Sequence, residues 1–516
     1  MKNRIFAGLL AALMLLSMLA SCGETETAGS AADSNADLQT NNDTISDGTD
    51  TTAPEETEKT APELSGLTYD GSKFTILVSN SGIGKMNDFS AKNEDHYTRV
   101  ASANYKKITK IEQLYDIDIE DVQEFGAANG NGVGYNKITQ DFASGLTSYH
   151  TCMVGTYDAA QLALEGYLYD LNSLDYVDLS CKWWDQDANK DLSIYGKMFY
   201  TTGDISTVDN LATHIILFNK KIAAENNITD LYTSVTEGKW TYDKFLSYVK
   251  LVSADADGND TMNELDTYGL LTWNDVLQAS LSGSRVRIAQ TNVDGEIEMS
   301  LYSEKSADLI DRLTEAFNDG NTVYNYTTRN TTQTQPSATY DRERDNMFNE
   351  DRALFYATVC NTIPRHRDSQ TLDFGILPYP KYDEAQETYG SYVGASYSGM
   401  ICVEATIEDK AYVGTVLESL AYEGMSETTP VYYDYLLKGQ FIRDEESSEM
   451  LDIIFNQRCF DLGIYYKIPS ESPYTSNLTQ MIARRETGTF ASRYDAALTA
   501  AKNEIRKLND EIYRFS

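Results

Sequence analysis

Apolar positions fall into three regimes along the chain. Residues 5–19 form an apolar run behind Lys2 and Arg4 and lead into Leu19-Ala20-Ser21-Cys22. The run is too short for the roughly 20 apolar residues of a permanent membrane helix. A basic start, a short apolar stretch and small residues before a cysteine are the signature of an exported precursor, expected to be cut so that Cys22 becomes the first residue and carries lipid on its thiol; an ordinary secretory peptide cut a few residues later, with Cys22 a chance thiol, is the alternative. Residues 22–63 are almost entirely Thr, Ser, Asn, Ala, Gly and acids, with Lys59 the single base. Such a segment cannot bury a core and is expected to be a disordered linker.

From Leu64 onward short β-rich runs alternate with longer stretches of helical period, which is α/β patterning. The pattern predicts strands at residues 74–79, 117–120, 151–154, 215–219, 270–273 and 374–377. Helices are expected at about 98–115, 159–165, 241–253 with Thr241 as N-cap, 303–319 and 412–422. The last hundred residues read as mainly helical. About 450 residues behind the linker imply two or three lobes. In open sheets of this kind ligands sit at the carboxyl ends of strands, so the loops at 80–84, beginning with Asn80, and 155–158 are candidate binding loops.

The formal net charge is −37. The folded part is acidic in its own right, which repels nucleic acid and anionic membrane surfaces. Tyrosine is abundant, with 36 residues, and supplies apolar faces with polar tips. Past Cys22 the thiols Cys152, Cys181, Cys360, Cys402 and Cys459 show no metal or redox spacing and are expected to be buried, with a disulfide between distant cysteines left open. Asp255, Asp257, Asn259, Thr261 and Asp266 approach the ligand spacing of a calcium loop, which makes a structural calcium a possible cofactor. Asp260 stands where that motif wants Gly, and Asp266 is shorter than the usual Glu; a solvated acidic turn is the alternative. No serine-hydrolase elbow, zinc-protease helix, phosphate loop or dinucleotide fingerprint occurs, and the four His are scattered.

Several phrases in order resemble the extracellular solute-binding proteins of carbohydrate ABC importers, the maltose-binding-like group. They are Gly166-Tyr167-Leu168-Tyr169-Asp170-Leu171, Trp183-Trp184, Gly196-Lys197-Met198-Phe199-Tyr200, Gly203-Asp204 and Phe218-Asn219-Lys220-Lys221. The strongest is Gly238-Lys239-Trp240-Thr241-Tyr242-Asp243-Lys244-Phe245, followed by Asp255-Ala256-Asp257-Gly258-Asn259 and Tyr268-Gly269-Leu270. Arg352-Ala353-Leu354-Phe355 and Gly375-Ile376-Leu377-Pro378-Tyr379-Pro380-Lys381 complete the series. The resemblance implies an α/β fold of two lobes joined by a hinge, with the ligand in the cleft between them and a helical C-terminal region. It divides the chain into a signal peptide 1–21, a linker 22–63, an N-terminal lobe 64–208 with 392–430 and a C-terminal lobe 209–391 with 431–516. Crossovers are expected at 205–213, 391–401 and 428–432.

Sugars are held by aromatic faces and by planar polar groups that read hydroxyls. The candidates are Trp273, followed by Asn274 and Asp275; Tyr157 and Asp158, which the resemblance brings to the cleft; Tyr397 in Ser396-Tyr397-Ser398-Gly399; and Asn80. Trp183 and Trp184, being adjacent, are expected to point different ways, so one of them, Trp183, is a further candidate. Arg365, beside His366 and Arg367, offers a guanidinium for vicinal hydroxyls or a carboxylate. Each has a structural alternative: a core Trp, a surface ion pair, a plain hinge. Trp240, ahead of a helix, reads as structural. The function implied is a lipid-anchored protein on the extracellular side of the cell membrane that captures a carbohydrate, an oligosaccharide in the first instance, for an ABC permease. A lipid-anchored glycoside hydrolase or a glycan-binding adhesin are the alternatives.

Overall fold

The computed structural model describes residues 64, 66–79, 88–89, 99–126, 128–329, 337–367, 369, 371–437 and 445–515. Cys22, the expected signal and linker, and Asn80 lie outside them. The described chain begins with β1 (Ser72–Ser79), α1 (Arg99–Tyr115), β2 (Ile117–Gln123), α2 (Val133–Ser144), β3 (Thr151–Gly155), α3 (Thr156–Leu164), α4 (Gln186–Leu192) and β4 (Tyr200–Thr201). It then crosses through α5 (Val208–Leu211) into β5 (His214–Asn219), α6 (Lys220–Glu225), α7 (Leu231–Thr236), α8 (Tyr242–Val252), β6 (Tyr268–Thr272) and α9 (Val276–Gly283). A hairpin, β7 (Ala289–Thr291) and β8 (Ile297–Met299), precedes α10 (Glu304–Phe317), β9 (Val323–Asn325), α11 (Tyr326–Arg329), α12 (Ser337–Asn349), β10 (Ala353–Val359), α13 (Ile363–Arg367) and β11 (Phe374–Leu377). The chain returns through β12 (Ser391–Tyr392) and β13 (Gly399–Cys402), then runs through α14 (Lys410–Glu423), α15 (Thr429–Leu437), α16 (Glu445–Phe455), β14 (Arg458–Cys459), α17 (Leu462–Tyr465), α18 (Tyr474–Ala483) and α19 (Phe490–Arg514).

Two five-stranded sheets organise these elements, in the orders β2-β1-β3-β13-β4 and β11-β5-β10-β6-β9. In the first, β1 runs parallel to β2 and β3, while β13 returns antiparallel to β3 with Cys402 opposite Cys152. In the second, β6 is parallel to β10 and β9, and β5 antiparallel to β10 and β11. Helices cover both faces of these strands, so β3, β5, β6 and β10 are buried at every position and read as continuous apolar runs rather than alternating ones. Gly269 is required where α8 crosses β6: a Cβ there would lie 2.0 Å from the Val249 carbonyl oxygen. The C-terminal helices α16, α18 and α19 pack against β11, α9 and β8, in the second lobe. α17 and α19 also touch α3 of the first lobe.

All six expected strands are present, and the helices at α1, α3, α8, α10 and α14 fall where the periodicity puts them. Thr241 stands ahead of α8 without a side-chain capping bond, whereas Ser303 opens α10 with a reciprocal capping box to Ser306. The five cysteines past Cys22 are buried. Among the described residues no helix is long and apolar enough to cross a membrane.

Candidate functional site

The carboxyl end of β3 turns directly into α3, and this sharp junction presents Tyr157 at the edge of the first sheet. From the second sheet, β6 ends at Thr272 and is followed by Trp273, Asn274 and Asp275 at the start of α9. The returning turn at 394–397 and the first turn of α18 close the remaining sides. Together they enclose a cavity of about 160 Å³ whose walls include Tyr157, Asp275, Gln278, Tyr392, Gly394, Tyr397 and Thr475. Nearly all of its polar groups are hydroxyls or amides, and Asp275 is the one charged side chain among its described walls.

Desolvation raises the pKa of Asp275, opposed by the neighbouring Trp273 indole N–H and the Arg344 guanidinium. Tyr157 is pushed up to about 12 by burial and by the charge of Asp275, partly offset by a bond with Ser396; its hydroxyl stays protonated and available as a donor. Behind the cavity wall His214, the first residue of β5, is fully buried and lies 4.9 Å from the Tyr392 ring and 5.4 Å from Trp273. Burial pulls its pKa down to about 3, so it is a neutral imidazole, and neither ring nitrogen has a hydrogen-bond partner among the described residues. Gly394 is the residue that lets the turn lie this close: a Cβ on it would meet His214 Nε2 at 3.2 Å and Tyr397 Cδ2 at 3.1 Å. Trp273 is 7% exposed and packs beside His214, with the Arg344 guanidinium 5.0 Å over its ring.

The sequence candidates separate clearly. Tyr157 and Tyr397 line the cavity and Trp273 supports it. Asp158 faces away: it is fully buried and its Oδ1 accepts the amides of Gly130 (2.8 Å) and Gly132 (3.0 Å). Trp183 also lies outside the cavity. The expectation that Trp183 and Trp184 diverge is corrected by the structure, because both indoles donate to one carboxylate, Glu418, at 3.0 and 2.9 Å. Alternation holds for extended strands, and here Trp183 sits in a turn while Trp184 alone is extended, bridging Gly203. Glu418 is 1% exposed and is raised to about 7 by desolvation, against the pull of the two indoles and the Asp178 amide. Arg365 is exposed on α13 and pairs with Asp345 at 3.3 Å, while His366 is buried against Asn349. Trp240 is buried and donates to the Pro378 carbonyl at 2.9 Å.

At the proposed calcium turn, Asp255, Asp257 and Asp266 bring carboxylate oxygens within 4.8 Å of one another. Asp260 takes a φ of +59° where the motif has Gly. Asp255 accepts the amides of Gly258 and Asp260, Asp266 those of Ala256 and Asn263, and Asn259 that of Thr261, so the turn is closed by its own backbone.

Sequence reading missed Gln278, Tyr392, His214 and the hydroxyls Thr475, Ser476 and Thr479. The last group carries one signal, Pro473 just ahead of Tyr474-Thr475-Ser476, which marks a helix start. The others are ordinary core or helix residues until the fold brings them together. A groove of about 830 Å³ between α3 and α19 is larger, but its rim is exposed and acidic, with Glu165, Glu471, Glu504 and Glu511 against Lys507; it lacks the convergent buried polar groups of the smaller cavity.

The sequence profile of the bacterial extracellular solute-binding proteins matches residues 97–399. A search of curated protein sequences finds no match. The fold is similar to the galacto-N-biose-/lacto-N-biose I-binding protein of an ABC transporter from Bifidobacterium longum, solved with lacto-N-biose, at 12% identity over 86% of this chain and 98% of that one, with a TM-score of 0.55. It is similar to a cyclo/maltodextrin-binding protein complexed with maltotetraose (14%, 84% and 98%, TM-score 0.52). It is also similar to an ABC substrate-binding protein from Listeria monocytogenes in complex with cycloalternan (14%, 86% and 99%, TM-score 0.51). At these identities the likeness establishes the two-lobed fold.

Proposed function

The chain belongs to the bacterial extracellular solute-binding protein family, and on that footing we propose that it captures a carbohydrate between its lobes and passes it to the membrane permease of an ABC importer, held at the outer face of the cell membrane by lipid on Cys22. The observation that carries the reading is the cavity itself. Tyr157 comes from the first lobe, Asp275, Gln278 and Thr475 from the second, and Tyr397 from the connecting turn. Aromatic faces beside hydroxyls, an amide and one carboxylate are the groups that recognise a polyhydroxylated, uncharged ring. Three relatives of this fold are known with saccharides, which supports the same ligand class here.

A ligand that touches both lobes stabilises the closed arrangement because its contacts to one lobe are lost on opening. Catalysis on a glycoside needs two carboxyl groups about 5 to 10 Å apart; with Asp275 the single carboxylate among the cavity's described walls, the arrangement favours capture over turnover. The test is a thermal-shift screen of the full chain against neutral mono- and oligosaccharides, uronic acids and peptides, with product analysis. A neutral saccharide should raise the melting temperature by mass action and be recovered intact. A shift that decays as product accumulates would identify a hydrolase, and shifts with peptides alone would remove the carbohydrate. Calcium at the 255–266 turn is a separate proposal, decided by melting in calcium and in chelator: an upward shift supports it and coincident curves remove it.

A further inference from the structure

We propose that Lys467 is a positioning residue that latches the second lobe to the first across the rim of the cleft, fixing the Tyr157 ring on which a ligand would pack. The inference rests on the reading of the cleft as the ligand site. Lys467 follows α17 in a second-lobe segment, and its ammonium lies 4.3 Å from the centre of the Tyr157 ring. Tyr157 lines the cavity, and Lys467 is not among its described walls. The same ammonium donates to the Asn129 carbonyl of the first lobe at 2.8 Å.

Both ends of this contact are held in place. Asn129 is followed by Gly130 and Gly132, whose amides are both bound by Asp158 Oδ1. Asp158 thus fixes the loop whose carbonyl receives the latch, and its negative charge opposes the desolvation that lowers the pKa of Lys467. On the other side, Lys467 has a φ of +52°, a left-handed conformation that side chains other than glycine adopt at a cost. It is kept there by its amide bond to the Ile464 carbonyl (3.0 Å) and the Ile468 amide bond to Gly463 (2.9 Å). Adjacent residues of the first lobe, Tyr157 and Asp158, therefore divide the work: one meets the ligand, the other anchors the loop that catches the lysine.

A cation over an aromatic ring and a charged hydrogen bond, both half out of water, make closing contacts that form after encounter, so their loss speeds release rather than slowing capture. The test needs no ligand in its first arm. Hydrogen exchange of the full chain without sugar is compared for wild type, Lys467→Met and Lys467→Arg. Lys467→Met should raise exchange at the Gly130 and Gly132 amides at least about threefold, Lys467→Arg should restore it, and the three melting temperatures should agree within about 2 °C. Unchanged exchange in Lys467→Met overturns the latch, as does a Lys467→Arg variant that behaves like Met. In the second arm lacto-N-biose and maltotetraose are the probes. If wild type binds either, Lys467→Met should release it about five- to tenfold faster with an unchanged association rate, and equal release rates overturn the latch. If wild type binds neither, that counts against the ligand class, and the exchange arm decides the latch alone.

Discussion

Asp275 shows how one side chain carries both a cost and a function. Burial raises its pKa, so keeping a carboxyl group here is a cost to stability, and it faces the cavity where a hydroxyl-rich ligand would hydrogen-bond to it. Asp275→Asn is expected to weaken saccharide binding at least about tenfold, since a hydrogen bond to a charged group contributes about 1.5–3 kcal/mol, without lowering the melting temperature; titration calorimetry and a melt check the two halves. Trp183 makes the opposite case. Its indole satisfies the buried Glu418, so Trp183→Phe is expected to cost about 1–3 kcal/mol in urea unfolding and to leave saccharide affinity unchanged. The sequence marked both tryptophans as notable but offered no way to see Glu418, more than 200 residues away, as their shared partner.

Elements were more legible than sites, for a physical reason. A buried strand or an amphipathic helix is encoded by neighbours along the chain, so β1, β3, β5 and α10 stand out in the apolar pattern. Ser303 as the cap of α10 is encoded the same way, and Ser303→Ala should lose about 1 kcal/mol of unfolding free energy. The cavity instead assembles from β3, α9, the turn after β12 and α18, and no local pattern encodes that meeting. Tyr157 was found from the open-sheet rule and the resemblance and Tyr397 through the resemblance, whereas Gln278 and Tyr392 look like any core position. Arg458, the first residue of β14, makes a contact of this hidden kind. Arg458 is bound by Asp185 at 2.5 Å and Asp209 at 2.6 Å, well inside the protein. Arg458→Met leaves those carboxylates buried without their counter-charge, so equilibrium unfolding should show a loss of about 3–5 kcal/mol.

At the scale of the whole molecule the buried acids set a pH response. Desolvation lifts Glu404 from an ordinary 4.5 to about 8, and Asp209, despite Arg458, from 3.8 to about 6. A raised folded pKa means the folded state holds the proton more tightly than the unfolded chain. The resulting stability is fully present below about pH 4 and is lost as pH rises through 6 and then 8. The melting temperature should therefore fall between pH 5.5 and pH 8.5, and Glu404→Gln should flatten the upper part of that slope; an unchanged slope in Glu404→Gln would place the titration elsewhere.

The central claim is that a saccharide is gripped from both lobes at once. Its most direct test is titration calorimetry of the saccharide that gives the largest thermal shift, against wild type, Tyr157→Ala in the first lobe and Asp275→Ala in the second. Each substitution alone should weaken binding at least about tenfold, with melting temperatures of the free proteins close to wild type. Affinity that survives the loss of either side chain would contradict the account and move the ligand out of this cleft.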